Sequence, residues 1–220
     1  MNQHINSSLS IKSGFRVEHP ALMGWETLLE EWVLLIERYC RLAPGKAPYW
    51  YSERSNVGLL AGAAWRCGWI SLEEFQAEKS SENVGWRGRL DLWLASATSS
   101  YVVEAKQSWP VLGSANAAST IEDAATAATD DAASLVVTEP QTRVGVAFCA
   151  PYCGKHLKAE VEPALDDLLE TLNHVPHDAL AWCFPPSTRE LVDSTQKDIY
   201  PGVILLARVV NLDTVTIPLS

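Results

Sequence analysis

Residues 88–106 read GRLDLWLASATSSYVVEAK, two alternating runs separated by a short polar break. An antiparallel hairpin whose tight end lies between Ala97 and Thr98 sets Asp91 opposite Glu104 and Arg89 opposite Lys106. Strand alternation then gathers Arg89, Asp91 and Trp93 on one side, with Val102, Glu104 and Lys106 beside them. Leu90, Leu92, Leu94, Tyr101, Val103 and Ala105 turn to the other side, toward a core. Both faces are self-consistent, which supports this register. Ala-Thr is a poor two-residue turn, so a longer loop over 96–99 is expected at the same register.

Two carboxylates facing each other on neighbouring strands repel unless positive charge lies between them. Mg2+ suits that position, because it is a hard cation commonly held by one or two carboxylates plus waters and a substrate phosphate. Lys106, two residues beyond Glu104, points the same way. It could position or deprotonate an attacking water, or stabilise charge developing on phosphate. A metal there acidifies its bound water and neutralises phosphate together. These residue types at this spacing suit metal-assisted phosphodiester hydrolysis.

Other elements must carry this hairpin. Trp25, Leu28, Leu29, Trp32, Leu35, Ile36 and Tyr39 recur at steps of three and four, so 23–41 is expected to be an amphipathic helix. A second helix over 52–67 starts at Ser52, a good N-cap, and stops at Gly68. Its buried side is expected to hold Val57, Leu60, Ala61, Ala64 and Trp65. Strands are expected over 69–79, 87–95 and 99–107, then an alanine-rich helix over 113–135 and an apolar strand over 142–150. A short helix over 163–172 and strands over 179–184 and 203–210 complete the pattern. The implied class is α/β, a mixed β-sheet flanked by helices. The expected organisation is a loosely held arm over 1–22 and a single domain over 23–220.

Asp91 followed by Glu104-Ala105-Lys106 resembles the D…ExK core of the PD-(D/E)xK nuclease superfamily, with Leu90 where the family motif has proline. The family core runs helix, three-stranded meander, helix, strand, and the expected order over about 52–150 is similar to it. This resemblance implies a restriction-endonuclease-like fold, with an added N-terminal helix and C-terminal strands. It also implies a nuclease that uses Mg2+ or Mn2+ and acts on nucleic acid, DNA being the expected polymer. Asp91 and Glu104 would bind metal and Lys106 would handle the water. Family members often add an acid from the first core helix, for which Glu53 is the candidate and Glu78 the competitor. Arg87, Arg89 and Trp93 are the candidate substrate contacts.

The chain has 220 residues, of which 17 are Lys or Arg and 27 Asp or Glu, for a formal charge of −10. That balance argues against non-specific coating of nucleic acid, which needs a basic surface. It leaves room for a local basic cleft, or for a basic protein partner. A second class of function is therefore a catalytically inactive nuclease-like fold serving as a regulatory, immunity or assembly protein. A homodimer is compatible with the family resemblance. No apolar run approaches the ~20 residues of a membrane span, and the first residues lack a secretion-signal pattern. The expectation is a soluble, cytoplasmic protein without a membrane partner.

The five cysteines fit reduced, buried thiols, and the Cys149–Cys153 pair lacks a companion pair for a zinc site. Trp25, Trp32 and Trp65 are expected in the core, while Trp86, Trp93 and Trp109 border the hairpin as packing or substrate contacts. The aromatic loop at 44–51, PGKAPYWY, reads as packing near the start of the Glu53 helix. The acids of the alanine-rich helix, Glu122, Asp123, Asp130 and Asp131, are expected to face solvent.

Overall fold

The computed structural model describes residues 12–81, 84–136, 141–193 and 197–210, with side chains described outside 77–87. In chain order these form β1 (Lys12–Val17), α1 (Trp25–Leu42), α2 (Glu53–Arg66), β2 (Ile70–Ser81), β3 (Val84–Ala95) and β4 (Ser100–Ser108). There follow α3 (Ala117–Ala133), β5 (Thr142–Cys149), β6 (Cys153–Gly154), α4 (Val161–Leu172), β7 (Ala179–Phe184), β8 (Asp198–Ile199) and β9 (Val203–Val209). The architecture is α/β: a seven-stranded mixed sheet in the order β1-β7-β9-β5-β4-β3-β2, with helices against both faces.

β4 and β5 are the parallel pair, and α3 makes the crossover between them. The other pairings of the large sheet are antiparallel. A small ribbon of β6 and β8 stands apart from it. None of the described helices is long and apolar enough to cross a membrane.

Each helix buries one stripe. α1 turns Trp25, Leu28, Leu29, Trp32 and Ile36 onto the sheet face carrying Leu92, Leu94, Val103 and Ala105. α2 shares that face through Val57, Leu60, Ala61 and Ala64. Burying a side chain of this size stabilises the fold by roughly 1.5–3 kcal/mol. On the opposite face α3 and α4 bury Ile121, Ala125, Leu165 and Leu168 against Phe184, Ile204 and Leu206.

Two expectations are corrected. Lys12–Val17, assigned to a loose arm, pair antiparallel with β7, and Leu22 is fully buried. Trp65 is 57% exposed rather than core. At 100° per residue it lies about 80° round the helix from Val57, outside the arc that Leu60, Ala61 and Ala64 share with it. Cys40, Cys149, Cys153 and Cys183 are free thiols and buried, as expected; Cys67 is free and half-buried. Burial pushes the Cys149 thiol up to about 12, a protonated and unreactive state.

From Leu92 to Ala95 the hairpin register is the one the alternation demands, but the ladder ends there, so the expected Asp91–Glu104 and Arg89–Lys106 pairs do not form across it. Leu92 pairs Val103, Trp93 pairs Val102, and Leu94 pairs Tyr101. Ser96 closes the loop: its N–H donates to Ser99 O at 2.8 Å, and its hydroxyl accepts the N–H groups of Thr98 and Ser99.

Candidate active site

Asp91 sits where β3 parts from β4 and skips one position of its ladder with β2. The β3–β4 ladder ends at Leu92↔Val103, and the β2–β3 ladder passes from Glu73↔Leu92 to Phe75↔Leu90, skipping Glu74 and Asp91. Glu74 takes φ +50°, a strained value for a residue with a Cβ. Such an irregularity re-aims side chains next to it. Leu90 accordingly leaves the face of Leu92 and joins Val102, Leu135 and Trp93 on the α3 side.

Separation of the strands exposes β4 donors that β3 no longer serves, and carboxylates take them. Asp91 Oδ2 accepts the Ala105 N–H at 2.8 Å. Two residues on, Glu53 Oε2 accepts the Gln107 N–H at 3.0 Å. Glu53 reaches that point because Ser52 caps α2, its hydroxyl accepting the Ser55 N–H, which fixes Glu53 in the first turn. Gln107 is tied in turn to Asn56 at 2.7 Å and to the Tyr49 carbonyl at 3.0 Å.

Glu104 is 3% exposed. Its register partner on β5 is Gly145, over which the Thr129 backbone of α3 packs so closely that a Cβ would collide with it. Without that glycine α3 could not lie on the sheet beside the acid. A carboxylate this buried is costly unless it is paired, hydrogen-bonded or bound to a cation. Lys106 projects from the same face, and its ammonium donates to Asp131 of α3. Asp131 and Glu122, both expected to face solvent, are therefore each ion-paired, Glu122 with Arg208 at 3.8 Å.

Proximity also sets the ionisation of these groups. Partial burial, then the Asp91 charge, raise the Glu53 carboxyl above its usual range; Lys106 and the Gln107 N–H oppose this in part, and Asp131 adds to it. Burial pulls the Lys106 ammonium down, but Asp131, Glu53 and Asp91 outweigh it and leave it raised. The lysine is therefore a fixed positive charge at neutral pH.

The expected substrate contacts fare differently. Arg89 does not stand with Asp91: it bonds Glu74 at 2.8 Å, where Arg54 of α2 also pairs. The skipped ladder position is the physical reason, since it breaks the alternation between the two residues. Trp93 packs against Leu90, Val102 and Leu135. Arg87 and Glu78 pair through their backbones, and their side chains lie outside those described.

Among the described residues no three His, Cys, Asp or Glu side chains form a ready-made cation cage. Asp91 and Glu104 carry hard oxygen donors of the kind Mg2+ takes, on β3 and β4 next to the point where the two strands part. Asp131 and Gln107 were not picked out as site residues by spacing. Comparison with protein-family models, curated proteins and solved structures gave no match.

Proposed function

We propose that the chain is a metal-dependent nuclease hydrolysing phosphodiester bonds of DNA, built on a restriction-endonuclease-like core. The order α2-β2-β3-β4-α3-β5, with an antiparallel meander followed by a parallel strand, supports that reading of the fold. The observation that carries the functional reading is that the Asp91 and Glu53 carboxylates accept the Ala105 and Gln107 N–H groups on either side of Lys106, at the point where β3 and β4 part. Mg2+ or Mn2+, when bound, would supply Lewis acidity and an acidified water.

Asp91 and Glu104 would hold that ion. Glu53 would tune the site through its charge while capping Gln107. Lys106, kept protonated by its acidic neighbours, suits the orientation of water and the stabilisation of charge on phosphate, not proton abstraction. Asp131 would hold the ammonium in place until a phosphate competes for it.

The test is cleavage of plasmid and oligonucleotide DNA in Mg2+ or Mn2+ by the wild type and by folded Asp91→Ala and Lys106→Ala variants. Activity is expected only in the wild type, and cleavage that survives in both variants removes these residues from the mechanism. A second reading, an inactive nuclease-like fold that binds a basic protein, is favoured by the charge of −10 and by the Lys106–Asp131 pairing. Absence of cleavage and of metal binding in the wild type would select it.

A further inference from the structure

Beyond the acid cluster lies a cavity of about 380 Å³ lined by Trp50, Tyr51, Trp109, Tyr152, Asp198 and Tyr200. A chain of hydrogen bonds links the two sites. Gln107, whose N–H is capped by Glu53, donates from its side chain to the Tyr49 carbonyl, and the Tyr49 hydroxyl donates to the Tyr200 carbonyl. Trp109 follows Lys106 by three residues along β4 and its exit, on the order of 10 Å at strand rise. Trp50 and Tyr51 immediately precede Ser52 and Glu53.

The rings meet at angles. Trp50 stands edge-on to Tyr51 at 86° and to Tyr200 at 83°, while Tyr152 lies against Tyr200 at 27°. That arrangement makes a floor and walls rather than a filled stack. The backbone holds it open, since Tyr152 exchanges hydrogen bonds with Pro110 and Leu112, fixing the Trp109 segment against it. Trp109 and Tyr51 remain 44% and 53% exposed at the cavity's edge.

We propose that this cavity takes one unpaired nucleobase of the substrate strand, so that the preferred substrate is single-stranded or frayed at the site of cleavage. The placement beside a scissile phosphate rests on the nuclease reading. A planar base fills a slot bounded by rings, and base–aromatic stacking needs no particular sequence. Asp198 supplies a pair of acceptor oxygens, which complement the adjacent ring N–H and amino donors of guanine better than the single ring N–H of thymine.

The experiment measures binding without metal, so it does not depend on catalysis. Anisotropy of a labelled single-stranded oligonucleotide in EDTA is compared with that of a blunt duplex, for the full chain and for Trp109→Ala and Tyr51→Ala. Both substitutions fall at exposed rings, and unchanged melting temperatures verify folding. The expected result is tighter binding of the single strand, about tenfold weaker binding in each variant, and competition by GMP more than by TMP.

Wild-type affinity in both variants, or no single-strand binding by the wild type, would overturn the proposal. So would saturable binding of tetramethylammonium without competition by GMP, which would make the cavity a cation cage. Intact, Trp109-dependent binding with no cleavage would sink the nuclease reading alone. Cleavage with binding indifferent to Trp109 would sink the cavity assignment alone.

Discussion

The Lys106 ammonium on β4 is held by the Asp131 carboxylate on α3, joining the strand that carries the candidate chemistry to the helix that crosses over it. Both side chains keep more than a third of their surface in water, at 37% and 44%, so the pair contributes less than about 1 kcal/mol to stability. Its consequence is protonic. Asp131→Asn is expected to lower the Lys106 pKa, because the largest influence opposing desolvation is removed. A raised lysine contributes stability that is present below its unfolded value and lost as pH climbs through the folded one. In the variant that loss, read by melting temperature, should be smaller and complete at lower alkaline pH. NMR titration of the lysine side chain measures the shift directly, and an unmoved Lys106 would mean that Asp131 does not hold it in solution.

Glu53 has the opposite sign. Its pKa is raised by burial and by Asp91, so the folded state binds its proton more tightly than the unfolded chain does. Stability from this group is present at low pH and lost as pH rises through the folded value. Glu53→Gln keeps an oxygen for the Gln107 N–H while removing the charge. It should melt about 1–2 °C above the wild type at neutral pH. The gap should close as pH falls from the raised value to the unfolded one, about 4.3. A lower melting temperature at neutral pH would mean that the carboxylate is a net stabiliser.

The hairpin was legible because period-two alternation and a polar break specify register without reference to anything distant, as Leu92↔Val103 demonstrates. The flip beside Asp91 was not, since it originates in the backbone of Glu74 on another strand, and no property of residues 88–106 reports it. This is why Arg89 was grouped with Asp91 yet bonds Glu74. β1 is not legible in the sequence because KSGFRV is short and interrupted by Gly14, whose missing side chain makes room for the Trp182 ring on β7. Asp131 looked like any other helix acid. Its partner is 25 positions away, and only the crossover between parallel strands brings them together.

Metal binding should appear as stabilisation. A cation bound by the native state alone adds about 1.4 kcal/mol when its concentration is tenfold above Kd, roughly 3–6 °C for a chain of this length. Wild-type protein titrated with MnCl2 should show that rise. Asp91→Asn and Glu104→Gln, which preserve shape but reduce donor charge, should not. Equal rises in all three proteins would place the ion elsewhere.

Gly145 offers the most direct test of how the fold builds the site. It pairs with Glu104 across the β4–β5 ladder and lies beneath the backbone of Ala128 and Thr129. A methyl group there cannot be absorbed by rotating a side chain, because the atoms it meets are main-chain atoms of a helix. Gly145→Ala should therefore lift α3 from the sheet at a cost of about 1–3 kcal/mol, the range for overpacking. Denaturant unfolding would measure it. Because Asp131 lies two residues beyond Thr129 on the same helix, the displacement should also loosen its hold on Lys106 and lower the lysine pKa in the same direction as Asp131→Asn. Full stability in Gly145→Ala would mean that α3 does not rest on β5 as closely as described, and the burial of Glu104 would lose its explanation.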